Sequence, residues 1–268
     1  MKIPSRPPLL PPRAISGSLF SIGATVGPLV DSLHNQCLLA YDFAPILLPN
    51  PVTASAPLLC CSSWTVPPLL GIAYVVLGYI LPRVIERLAT AQGGAGNGFL
   101  SEQQLDTGEL KKRAILAVAS TAFIIKLSEF LQTHDTIALV AHPVVLDTKT
   151  SLGIMAAADA IQWIALDTTP VALVAATITA IGGPLSELPF VANGFWHYLP
   201  ESADYLPLSG VALQPGGIAD TVAVSALGAG YSNLALSSIT GPCYFAVRTD
   251  AIALGRYIYQ INNDKNRL

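Results

Sequence analysis

Residues 58–81 read LLCCSSWTVPPLLGIAYVVLGYIL, a stretch without a single charge. A helix needs about 20 mostly apolar residues to cross the hydrocarbon core of a bilayer, so Leu58–Leu81 predicts a membrane span. The uncharged run before it is broken by prolines at 45, 49, 51 and 57. Pro67-Pro68 predict a kink inside the span, because neither residue has the N–H that a helix interior uses.

Five further spans follow on either side. Ala14–Val30 is uncharged and is closed by Asp31-Ser-Leu-His34. A third span runs from about Ala114 to Leu131, with Lys126 and Glu129 towards its far end, and a fourth from about Thr150 to Leu166 around Asp159. The fifth is Pro170–Tyr198 with Glu187 inside it, and the sixth is Ser237–Ile258 with Arg248 and Asp250. Thr136–Leu146 is apolar but too short to cross. Residues 211–236, rich in Gly, Ser and Ala, read as a loop, a re-entrant segment or a seventh helix. The expected fold is an all-α polytopic membrane bundle of about six helices, with a tail at 1–13, the membrane domain at 14–260 and a second tail at 261–268.

Charge supports this count. Six spans place Lys2, Arg6, Arg13, Arg83, Arg87, Lys111, Lys112, Arg113, Arg256, Lys265 and Arg267 on one side, and only Lys149 on the other. Such a bias puts both termini on the cytosolic face. Composition agrees: 52% of the 268 residues are hydrophobic and 12% charged, where about a quarter is usual for a soluble domain. The net charge of −3 gives no electrostatic reason to expect a nucleic acid. The basic N-terminus lacks a small-residue cleavage site after its apolar run, which reads as a retained helix.

Catalytic signatures are missing from the sequence. No HExxH, GxSxG or Walker A motif occurs, and GGAGNG at 93–98 lies in the charged connector. Cys37, Cys60, Cys61 and Cys243 form no CxxC pair, so no metal, cofactor or disulfide framework is expected. The informative residues are the ionisable ones within spans, where each charge costs at least about 2.5 kcal/mol and faces the bundle or pairs. Lys126 and Glu129 share a helix face. Arg248 and Asp250 each need a partner elsewhere, and Asp159 and Glu187 have none nearby in sequence. Glu187, Asp159 and Arg248 together define one alternative, a small transporter or channel.

Six motifs in order resemble the Insig (insulin-induced gene) family, in a form found outside animals. They are SIGATVGPLVDSLHNQCLLAYD (21–42), SSWTVPPLLGIAYVVLG (62–78), IIKLSEF (124–130), QWIALDTTP (162–170), GGPLSELPFVANGFWHYLPESADY (182–205) and GPCYFAVRTDAIALGR (241–256). The likeness covers about residues 16–260. Loops near 132–149 and 211–236 look inserted, and the segment after Asp167 lacks the family's Arg and glycines. The resemblance implies a non-enzymatic, multi-pass protein of the endoplasmic reticulum, with a plastid or other internal membrane as the alternative. It implies that the bundle binds a sterol or diacylglycerol-type lipid. Through that lipid it would control retention or degradation of sterol-pathway membrane proteins, of the sterol-sensor or reductase type. It further implies a homo-oligomer, such as a trimer. Candidate lipid contacts are Trp64, Val66, Pro67, Pro68, Glu187 and Tyr198. Trp163 and Asp167, four apart on one helix face, are the candidate partner contact, with Asp167 read as an exposed carboxylate or as a cap of the fifth helix.

Overall fold

The computed structural model describes residues 11–49, 58, 60–91, 106–138, 143–205 and 234–265. Six helical spans cross in alternation. The first, α1, is Arg13–Leu38. It runs past the expected end at Val30, because Asp31, His34 and Asn35 turn inward and find partners instead of ending the helix.

The second span is assembled from α2 (Val66–Val75), a π-helical turn (Val76–Ile80) and α3 (Leu81–Ala91). Two expectations change here. The span does not begin at Leu58, since Cys60–Ser63 forms a strand, β3, paired with β2 (Pro45–Leu48). Nor do Pro67 and Pro68 kink it: they fill the first helical turn, where the N–H groups have no helical acceptor. The irregular turn falls instead ahead of Pro82, which has no N–H to offer the carbonyl of Gly78 four residues back.

The remaining helices are α4 (Thr107–Thr133), α5 (Thr148–Leu166), α6 (Pro170–Ala192) and α7 (Thr240–Lys265). Three begin on side-chain caps. Asp106 accepts from the Glu109 N–H at 2.7 Å, Asp147 from Thr150 at 2.8 Å and Thr169 from Ala172 at 3.2 Å. The bond to Thr150 holds the Asp147 carboxyl below its ordinary range. Helix α6 stops at Ala192 rather than Tyr198; Gly194, at φ +68°, turns the chain into a strand at 196–198. Helix α7 continues through the expected end at Ile258 into the segment read as a tail.

Three short antiparallel strand pairs add to the all-α expectation: β1 (Leu39–Tyr41) with β6 (Trp196–Tyr198), β2 with β3, and β4 (Thr136–Ala138) with β5 (Pro143–Val145). All lie in loops on the face away from the basic residues. The β1–β6 pair ties the end of α1 to the end of α6, as alternating spans require. Tyr205 and Leu236 exchange two backbone hydrogen bonds, at 3.0 and 2.8 Å. Tyr205 and Leu236 thus lie side by side on that face. Residues 211–233 themselves lie outside the described residues.

Helix α7 packs against every other span. In a bilayer, lipid tails are as apolar as leucine, so helices associate through close backbone approach at small residues. A Cβ on Gly255 would lie 2.4 Å from the Gly78 carbonyl oxygen, and one on Gly78 would lie 2.5 Å from that of Ala251. Gly23 meets α2 in the same way at the Leu70 carbonyl. Large apolar side chains such as Ile72, Ile115, Phe123, Ile161 and Ile181 face outward, as a lipid-facing belt does.

Gly255→Leu tests this crossing. Overpacking of this kind costs about 1–3 kcal/mol, so thermal unfolding in detergent is expected several degrees lower. Gly153, with nothing within 4 Å of its built Cβ, is the control. Equal melting of Gly255→Leu and Gly153→Leu would show that the close crossing is not required.

Candidate functional site

A cavity of ≈ 120 Å³ lies between α1, α2, α6 and α7, with residues of the β1–β6 pair lining one end. One wall is apolar: Val66, Leu69, Leu70 and Ala73 from the second span, with Val247 from α7. The other end is polar, and its groups are ordered by their own hydrogen bonds.

Glu187 anchors that end. It is buried on α6 and accepts from three donors: the Tyr198 hydroxyl at 2.5 Å, the Tyr244 hydroxyl at 2.8 Å and the Trp196 indole N–H at 3.3 Å. A buried carboxylate is tolerated only when its oxygens are satisfied, and here a strand and a helix supply the donors. Burial, and then the adjacent Glu187, push the Tyr198 phenol well above its ordinary range. Trp196 also stacks on Phe190, with ring centroids 5.1 Å apart.

A second carboxylate, Asp31, faces the same cavity. Asn35 donates to it at 2.5 Å and Tyr41 at 3.5 Å, and His34 Nε2 lies 3.4 Å away. Its partners at positions 34 and 35 share its helix face. In the sequence, Asp31 and His34 close the first span and belong to the Insig-like motif at 21–42, with no site role assigned. Their spacing was the available signal that they begin a buried cluster. Asn35, Tyr41, Trp196, Cys243 and Tyr244 were likewise not foreseen at this site.

Of the six candidate lipid contacts, Val66, Glu187 and Tyr198 line the cavity. Pro67 and Pro68 start α2 and are not among its lining residues. Trp64 is 72% exposed, at the membrane face where indoles anchor.

Asp167 overturns its expectation. It is 5% exposed and ion-pairs through Oδ2 with Arg256 Nη2 of α7 at 2.9 Å. Its Oδ1 accepts from the Thr169 N–H at 3.0 Å, and Thr169, not Asp167, caps α6. The carboxylate is therefore turned inward, because a cation on the last helix meets it there. Trp163, one turn earlier, is half-buried, and its enclosed Nε1 has no hydrogen-bond partner among the described residues.

The other intramembrane charges disperse. Arg248 is fully buried, and its Nε, Nη1 and Nη2 have no hydrogen-bond partner among the described residues. Asp250 accepts from Tyr74 at 2.6 Å, and Lys126 pairs with Glu129. Asp159 is buried, with Oδ1 unpartnered among the described residues. Glu187, Asp159 and Arg248 thus do not share one site. No cluster of His, Cys, Asp and Glu suited to a metal occurs among the described residues.

These features define a membrane helix bundle that encloses a polar-ended cavity. Two solved structures share its fold: the Insig homolog MvINS from Mycobacterium vanbaalenii, at 17% identity, and a cross-linked trimer of MvINS, at 18%. Each gives a TM-score of 0.55 and covers 92% of this chain and 94% of the other. No family model matches the chain, and no curated protein matches it. The fold is that of an Insig homolog, and it fits the non-animal Insig-like resemblance of the sequence.

Removing the Asp167 charge tests the inward ion pair. Breaking a buried pair costs about 3–5 kcal/mol, so Asp167→Asn is expected to lower denaturant stability by that order. Thr168→Ala, at an exposed neighbour, should be silent. Unchanged stability of Asp167→Asn would return the residue to an outward, partner-facing role.

Proposed function

We propose that this chain is a non-enzymatic, Insig-like membrane regulator whose bundle takes up a sterol or diacylglycerol-type lipid, polar end first. The observation that carries this reading is the pairing of Glu187 with Tyr198 and Tyr244 at the end of an otherwise apolar cavity. Polar groups at membrane depth are costly and mark binding sites by default.

Size supports a partial fit. Sites for drug-sized ligands run about 300–1,000 Å³, so ≈ 120 Å³ accepts a head group and the first carbons. The remainder of the lipid lies along the Val66–Leu70 wall. Burial of apolar area at about 25 cal/mol per Å² drives entry, offset by ordering costs. The acceptor-rich end selects a free hydroxyl.

The same reading assigns the protein to the endoplasmic reticulum membrane. There it controls retention or degradation of sterol-pathway membrane proteins and assembles as a homotrimer. The sequence resemblance supports the first of these roles, and the trimer of MvINS supports the second. A transporter reading draws no support from the dispersed Glu187, Asp159 and Arg248.

Photoreactive sterol and diacylglycerol probes in liposomes test the site. Label is expected on peptides of α1, α2, α6 and α7, competed by the unlabelled lipid and reduced by Glu187→Ala. Label confined to α4 and α5, or indifferent to Glu187→Ala, would remove the proposal.

A further inference from the structure

The cavity also holds a group that lipid binding alone does not use. Cys243, in the first turn of α7, is 4% exposed and lines the cavity. Its Sγ lies 3.8 Å from His34 Nδ1, and His34 Nε2 lies 3.4 Å from Asp31 Oδ1. A nucleophile, a base and a group that orients the base thus stand in series, the arrangement that activates thiols.

The proton path is supplied as well. Ser128 Oγ sits 2.9 Å from Nδ1 and gives its own hydrogen to the Ile125 carbonyl at 2.7 Å. A proton passed from the Cys243 thiol to Nδ1 is therefore held by the Ser128 oxygen, while Asp31 accepts the hydrogen on Nε2.

We propose that Cys243, with His34 and Asp31, captures electrophilic lipids covalently, the substrate class being α,β-unsaturated carbonyl lipids. The inference rests on the lipid-cavity reading above. Conjugate addition requires no leaving group, whereas acyl transfer must expel one from a cavity of only ≈ 120 Å³. In conjugate addition the sulfur bonds to the β-carbon and the carbon–carbon π pair moves to form an enolate. The α-carbon then takes the proton held on His34. Every atom of thiol and lipid remains in the adduct, and no oxidant or leaving group is involved.

The other three cysteines are built-in controls. Cys37 donates its thiol hydrogen to the His34 carbonyl, with sulfur and oxygen 3.0 Å apart. Cys60 and Cys61 are buried in β3, away from the cavity lining. Burial, and then the neighbouring Cys60, push the Cys61 thiol up.

The test is peptide-level mass spectrometry of the full chain in liposomes, treated with an alkyne-tagged long-chain 2-alkenal. A saturated, diazirine-bearing fatty alcohol is run in parallel. The adduct is expected on Cys243 ahead of Cys37, Cys60 and Cys61, and absent in Cys243→Ser. A proton-handling group contributes about 10²-fold or more, so His34→Asn should slow capture by that order. Asp31→Asn should also slow it, and so should the milder Ser128→Ala, which lies outside the cavity lining and should retain photolabelling by the saturated alcohol. Even labelling of all four cysteines, or an unchanged rate in both His34→Asn and Ser128→Ala, would overturn the thiol proposal. If the saturated alcohol fails to label α1 and α7 of the unaltered chain, the lipid-cavity reading itself falls.

Discussion

The backbone crossing of Gly78 and Gly255 is the contact on which the rest of the bundle depends. Pro82 denies the Gly78 carbonyl its usual helical donor, and the second span opens there into a π turn. That carbonyl lies against Gly255, where any side chain would collide with it. The crossing brings α7 to the centre of the bundle, and three functional placements follow from its register. Near its start Cys243 meets His34, one residue later Tyr244 reaches Glu187, and near its far end Arg256 meets Asp167. A shift of α7 by one residue would separate all three pairs.

The electrostatics divide the molecule in two. On the side rich in Lys and Arg, Asp167 ion-pairs with Arg256, a contact that locks helix ends together. Towards the opposite side, Glu187 is surrounded by phenol and indole donors and Asp31 by an amide, a phenol and the His34 ring, with no Lys or Arg among the cavity residues. Ion pairs neutralise and close a helix interface. Neutral donors around a carboxylate leave lone pairs on their own oxygens and an opening for a ligand. This difference separates the structural cluster from the candidate site.

The six spans were legible in the sequence because hydrocarbon thickness sets a length that few other constraints imitate. Their ends were less so, since a polar residue ends a helix or continues it according to partners distant in sequence. Asp31 read as a terminator, yet Asn35 and Tyr41 keep it inside the fold. Asp167 read as exposed, because nothing local indicates that Arg256 returns to meet it. Pro67-Pro68 were read for what proline lacks, and their position in the first turn makes that lack harmless. Of the candidate lipid contacts, Val66, Glu187 and Tyr198 line one cavity. Tyr244 and Cys243 join that cavity without any spacing signal along the chain, for their approach is set by how α7 packs on its neighbours.

The most direct measurement is native mass spectrometry of the protein released from membranes in mild detergent. The account predicts one retained lipid with a free hydroxyl per protomer, lost when Glu187→Ala removes the acceptor that orders Tyr198 and Tyr244. Recovery of bare protein would contradict it. So would recovery of anionic phospholipid alone, in amounts that Glu187→Ala leaves unchanged.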